Sequence, residues 1–211
     1  NGAGMRTRYS ENQSRRSGAD VIAYSGDGTD GAGGALPASA FTWDIDFLHE
    51  GHVHPGVHEV GVTRGAFTIP TSGHDFSGNT RYRITLTVRL PNGLTDVKRV
   101  TVWPTKVDLT LDTVPAGLTV YLDGITQPTP LVYDTLVGFQ HSIEAPDQST
   151  PTTTYTFDHW SDGGARTHTV TVPAAGATYT ATFDAGPNTT PFHIGETSIF
   201  DEFDCCNGNL L

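Results

Sequence analysis

The densest chemistry in the chain lies in residues 47–59, FLHEGHVHPGVHE, where His49, His52, His54 and His58 are interleaved with Glu50 and Glu59. Four imidazoles this close together are a donor set that zinc, copper or nickel takes. On an extended strand, side chains two apart share a face, so His52 and His54 stand together. A turn at Pro55-Gly56 would return His58 to them, and His74, in TSGHDFSG, could complete the set if its loop folds back. The competing reading is a solvated segment whose imidazoles bond to backbone and carboxylates.

A second donor set is Asp27 and Asp30 in SGDGTDGAGG. Carboxylates in a glycine-rich loop can chelate calcium with backbone carbonyls filling the other positions. The same residues also suit a plain Asx turn. Asp44 and Asp46 alternate with Trp43, Ile45 and Phe47, and on one strand they sit too close together to flank a glycosidic bond by themselves. No nucleophile elbow accompanies any of the remaining histidines and acids. The segment is therefore expected to be non-catalytic, with no active site of its own.

Carbohydrate recognition needs flat aromatic surfaces with polar groups at the rim. Trp43 and Trp160 are the candidates, set against an alternative in which both lie in a core. Trp103, just before Pro104, is expected to pack between two modules. Asn188-Thr189-Thr190 matches the acceptor pattern for N-glycosylation. Cys205 and Cys206 are the only cysteines. Adjacent cysteines close a strained ring, so a bond to each other and bonds to partners elsewhere both remain open.

The elements that must position these residues are strands. Thr and Val are plentiful, Met occurs once, and short β-prone runs recur between Gly, Pro, Asn and Asp clusters. Alternation is cleanest in TRYRITLTVRL, where Tyr82, Ile84, Leu86 and Val88 face one way and Arg81, Arg83, Thr85 and Thr87 the other. Asn92-Gly93 then predicts a hairpin to the next strand. The expected organisation is all-β with two tandem small β-sandwich modules. Residues 1–17 form a linker or surface arm, 18–104 the first module, 105–185 the second, and 186–211 a linker leading into a further module.

With 23 acidic and 12 basic residues the chain has a formal charge of −11, which repels a phosphate backbone and argues against a nucleic-acid partner. No apolar run approaches the roughly 18 residues that signal a membrane span. The polar start has no apolar leader, and the closing Gly-Asn-Leu-Leu reads like the opening of another strand. The expectation is an internal piece of a longer chain that continues past Leu211.

The text YSGDGTDGAGGALPASAFTWDIDF, followed by RYRITLTVRLPNGLTDVKRVTV, resembles a PKD-type, immunoglobulin-like domain. In particular, it resembles the version downstream of the propeller in bacterial sugar dehydrogenase-like proteins of the pyrroloquinoline-quinone, glucose/sorbosone type. VPAGLTVYLDGITQPTPLVYDTLVGFQHSIEAP resembles a PEGA-type repeat, and YTFDHWSDGGARTHTVTVPAAGATYTATF the tail of an internalin-type B repeat. These resemblances imply a secreted or cell-surface location, a scaffolding role, and other domains of the parent chain as partners. The leading functional expectation is an extracellular accessory, spacer or adhesion segment. The alternatives are a carbohydrate-binding appendage of a secreted sugar-active enzyme, with polysaccharide as partner, and a filament subunit that adds a strand to neighbouring copies.

Overall fold

The structure, a computed structural model, describes Arg6–Thr7 and residues 15–189. Apart from one 3-10 turn at Ala38–Ala40, every regular element among the described residues is a strand, so the protein is all-β. No helix among them is long and apolar enough to cross a membrane.

Seven strands precede Pro104: β1 (Arg6–Thr7), β2 (Val21–Asp27), β3 (Phe41–His49), β4 (His52–Val60), β5 (Arg64–Thr68), β6 (Thr80–Arg89) and β7 (Thr95–Val102). They form two antiparallel sheets, ordered β1-β2-β5 and β4-β3-β6-β7. In β3 the residues Phe41, Trp43, Ile45 and Phe47 are buried while Thr42, Asp44 and Asp46 alternate with them. Pleating sends successive side chains to opposite faces, so these four meet Tyr82, Ile84, Leu86 and Val88 of β6 on one side of the sheet. Ile22 and Tyr24 close the core from the other sheet, with the Tyr24 and Trp43 ring centres 4.7 Å apart. Burial, and then the hydrogen bond that its hydroxyl donates to Glu59, push the Tyr24 phenol well above its ordinary value. The Asn92-Gly93 turn joins β6 to β7 as the sequence predicts, with Gly93 at φ +85°.

Nine strands follow: β8 (Lys106–Val114), β9 (Thr119–Leu122), β10 (Ile125–Pro128), β11 (Leu131–Leu136), β12 (Gln140–Glu144), β13 (Gln148–Ser149), β14 (Thr153–Trp160), β15 (Thr167–Thr171) and β16 (Ala177–Pro187). They make a sheet ordered β10-β9-β12-β15 and another ordered β11-β8-β16-β14-β13. Among them β10 and β13 are short edge strands with little apolar signal of their own. Every pairing here is antiparallel except β8 with β16. Leu109, Leu111, Val120, Ile143, Trp160 and Phe183 fill the space between the sheets.

Among the described residues, strands before Pro104 pair only with one another, and so do those after it. Packing nevertheless crosses that point. Leu136 and Phe139, from the turn between β11 and β12, belong to the first core, with the Phe139 ring 5.5 Å from that of Phe76. Backbone N–H groups of Gly18 and Gln140 donate across the junction to Val137 and Thr71 at 2.8 Å.

One local feature departs from the sequence expectation. Pro55-Gly56 is not a turn. The chain reverses at Glu50-Gly51, both at positive φ, and β4 runs straight through Pro55 with a bulge at Gly56, where Pro55 faces Asp46 and Val57 faces Ile45. A Cβ on Gly56 would lie 2.7 Å from the Ile45 carbonyl oxygen, so only glycine fits. The Gly56→Ala variant is expected to lose roughly 1–3 kcal/mol of stability by crowding this contact, read as a lowered urea midpoint.

Candidate functional site

The bulge decides the fate of the histidines. Regular alternation would place positions 54, 56 and 58 on one face, but the extra residue switches the pattern, so His54 opposes the inward Phe47 and His58 opposes the outward Asp44. His58 Nδ1 lies 2.6 Å from the Asp44 carboxylate on the outer face. His52 opposes His49 at the exposed start of β4. The proposed set of His49, His52, His54 and His58 therefore does not converge. Among the described residues no group of three or more His, Cys, Asp or Glu side chains is arranged to hold a metal ion.

His74 does fold back toward β4. Its ring meets that of His54 edge-on with centres 5.4 Å apart, and both lie against Phe47. His49 Nε2 is buried without a hydrogen bond, 3.7 Å from the Asp75 carboxylate.

The calcium candidates resolve as a turn. One Asp30 carboxylate oxygen accepts the backbone N–H groups of Ala32 and Gly34 at 2.9 and 2.7 Å, while Asp27 closes β2 in register with Arg6. The aromatic candidates are overturned as sugar platforms. Trp43 is 1% exposed and Trp160 0%, each sealed in a core with its indole N–H donating to a backbone carbonyl, that of Val62 and Arg166 respectively. Neither ring has a face to present. Asn188 uses its amide nitrogen, the atom a glycan would occupy, to donate to the Thr150 carbonyl at 2.8 Å. Cys205 and Cys206 lie outside the described residues.

A polar concavity lies where the two sets of sheets meet, a groove of about 550 Å³ lined by His74, Asp75, Asp123, Tyr133, His141 and neighbours. Its floor is a chain of hydrogen bonds that the sequence reading missed. Thr135 Oγ1 is 2.8 Å from His141 Nε2, and His141 Nδ1 is 2.6 Å from Asp123 Oδ2. The order hydroxyl, imidazole, carboxylate is that of a nucleophile, its base and the base's orienting group. Burial points to a structural role, because Thr135 is 1% exposed and His141 2%, leaving no room for a substrate atom beside the hydroxyl. Asp123 also accepts the Ser142 N–H at 2.8 Å and sits at φ +52° in the Asp-Gly turn between β9 and β10. The relay thus pins that hairpin to β11 and β12.

The rim of the groove is a second network. Asp75 accepts from Tyr133 Oη at 2.7 Å and from the backbone and hydroxyl of Ser77 at 2.7 and 2.8 Å. Partial burial works to raise its carboxyl, but those three hydrogen bonds and nearby His49 outweigh it and hold the group below the ordinary range. Burial, and then Asp75 itself, push the Tyr133 phenol up. Lys106 reaches the Asp134 carboxylate and the Gly78 carbonyl beside this rim. The Tyr133–Asp75 and Lys106–Gly78 bonds join the β5–β6 loop to the second pair of sheets.

Two outcomes test the networks. A His141→Ala chain leaves the buried Thr135 hydroxyl without its partner and is expected to lose about 1–3 kcal/mol in urea denaturation. Because the Asp75 carboxyl is lowered on folding, its stabilisation is present above the unfolded value of about 3.9 and is lost as pH falls through the lower folded value. Thermal melts of the Asp75→Asn variant should accordingly show a shallower acid dependence than the parent chain. No protein-family model matches the chain, and no curated protein or solved structure matches it either.

Proposed function

We infer that the chain is a non-catalytic accessory segment that holds the parts of a larger extracellular protein at a fixed separation and orientation. The observation that carries this reading is the junction. Its two parts are joined by inserted apolar side chains, backbone hydrogen bonds and the Asp75–Tyr133 contact together. A tether that only needed length would use a polar linker of few contacts. A segment that must transmit orientation needs its modules locked, and buried Phe139 and Leu136 supply that lock.

The resemblance of residues 18–104 to PKD-type domains and of 105–185 to PEGA and B-repeat modules supports the same reading, as does the acidic surface of a chain with formal charge −11. Catalysis, on this reading, belongs to other domains of the parent chain. The buried Thr135–His141–Asp123 relay fits a scaffold better than an enzyme, since it stiffens a hairpin and offers no reachable nucleophile.

Backbone 15N relaxation tests the proposal. Both halves are expected to share one rotational correlation time. Phe139→Ala, which removes the ring from the first core at a cost of about 3–5 kcal/mol, should let the two halves report different ones. Independent tumbling of the halves in the unaltered chain would rule out the rigid spacer.

A further inference from the structure

The charge of this acidic chain is sharply segregated. Residues 80–102, the β6–β7 hairpin, hold five basic side chains and one acidic one, a formal +4, so the rest of the chain carries −15 of the total −11. Pleating sorts the hairpin further. Tyr82, Ile84, Leu86 and Val88 point into the core, which leaves Arg81, Arg83 and Arg89 on the outer face of the sheet, joined there by Arg99 opposite Thr85.

The same alternation brings out Trp103. Val102 takes the buried position opposite Tyr82, and the next residue, just past the end of β7, points outward beside Arg81. The Arg81 guanidinium carbon lies 5.6 Å from the centre of the indole, and the tryptophan remains 47% exposed. Trp103, expected to pack between modules, thus leaves about half of its surface open to solvent. An ordered, half-bare indole held by a cation is the flat apolar surface that Trp43 and Trp160 fail to offer.

We propose that this outer face, centred on Trp103, Arg81 and Arg99, binds an acidic polysaccharide built of uronate residues. Each part of the ligand has a counterpart. The indole takes the apolar face of a sugar ring. Arg99, which forms no salt bridge with any described residue, takes a carboxylate through paired N–H donors, and Arg81, whose Nη1 donates to Asn79 Oδ1 at 3.1 Å, adds its remaining donors beside the indole. Arg83 is already committed to Asp46 at 2.7 Å and serves as structure. Asp44, two residues along β3 from Asp46 and likewise on the outer face, has Oδ1 held by His58 and offers Oδ2 as an acceptor that sugar hydroxyls satisfy and phosphodiesters do not. That carboxylate favours a hydroxyl-rich polymer over nucleic acid, whose phosphodiesters bring it no donor. The proposal goes beyond the spacer role and does not depend on it, since its test reads polysaccharide binding and not the relative orientation of the two halves.

The test is isothermal titration and affinity electrophoresis of the intact chain with polygalacturonate, neutral dextran and single-stranded DNA. The expected result is binding to polygalacturonate that weakens with salt, and no retention by dextran. Trp103→Ala and Arg99→Glu should each weaken the binding at least tenfold while circular dichroism and the urea midpoint stay unchanged. Arg89→Glu, at the far end of the hairpin, should weaken it less. Absence of polygalacturonate binding overturns the proposal, as does binding that Trp103→Ala and Arg99→Glu leave intact. DNA bound as tightly as polygalacturonate would assign the face to nucleic acid instead. Sedimentation showing a dimer that Arg99→Glu dissociates would assign it to a second copy of the chain.

Discussion

The structure depends on one act of burial, the insertion of Leu136 and Phe139 into a core otherwise built from residues before Pro104. Small β modules bury a modest share of their surface, and apolar side chains lent by a neighbour raise that share for both. The polar contacts at the junction follow from this placement. With Phe139 against Phe76, the loop carrying Asp75, Ser77 and Gly78 lies within hydrogen-bonding reach of Tyr133, Asp134 and Lys106. Burial also excludes water from part of that network, which strengthens its hydrogen bonds. The groove above it is a by-product of two curved surfaces meeting.

Much of this is legible in the sequence, and the legible part is local. The alternation of β3 and β6, the Asn92-Gly93 turn and most of the strands follow from period-two patterning and turn chemistry. Trp43 and Trp160 sit in the core, one of the two positions that their strand context allowed. What sequence reading misses depends on a partner strand. The bulge at Gly56 exists only in relation to β3, and with it goes the choice of face for His58. His141, Thr135 and Asp123 come from two strands and a turn, and none stands out in its own neighbourhood. Trp103 looks like a junction residue because it precedes Pro104, yet the inward position of Val102 dictates its direction.

The molecule thereby separates its chemistry by face. Inward faces are apolar, the junction is lined by acids and imidazoles such as the paired Asp123 and His141, and the outer face of β6 and β7 gathers Arg81, Arg89 and Arg99, which form no salt bridge with any described residue. Residues of like charge on neighbouring strands repel, and a surface is expected to mix signs unless a field of one sign is useful. Arg83 with Asp46, and Arg81 with Trp103, lessen the repulsion without neutralising the face.

The parallel pairing of β8 with β16 bears on how the protein comes to be made. These strands open and close the second set of sheets, and β16 is the only link between β8 and β14 in their shared sheet. Leu109 and Leu111 of β8 therefore wait for Ala181 and Phe183 before their core is complete. During synthesis the first set of sheets can close once β7 has emerged, whereas the second stays open until nearly all of its chain is available. Through that interval the turn bearing Leu136 and Phe139 already has a finished surface to settle on. An early half that closes in this order offers the late one a template, with the surface of the seam in place before the second core closes.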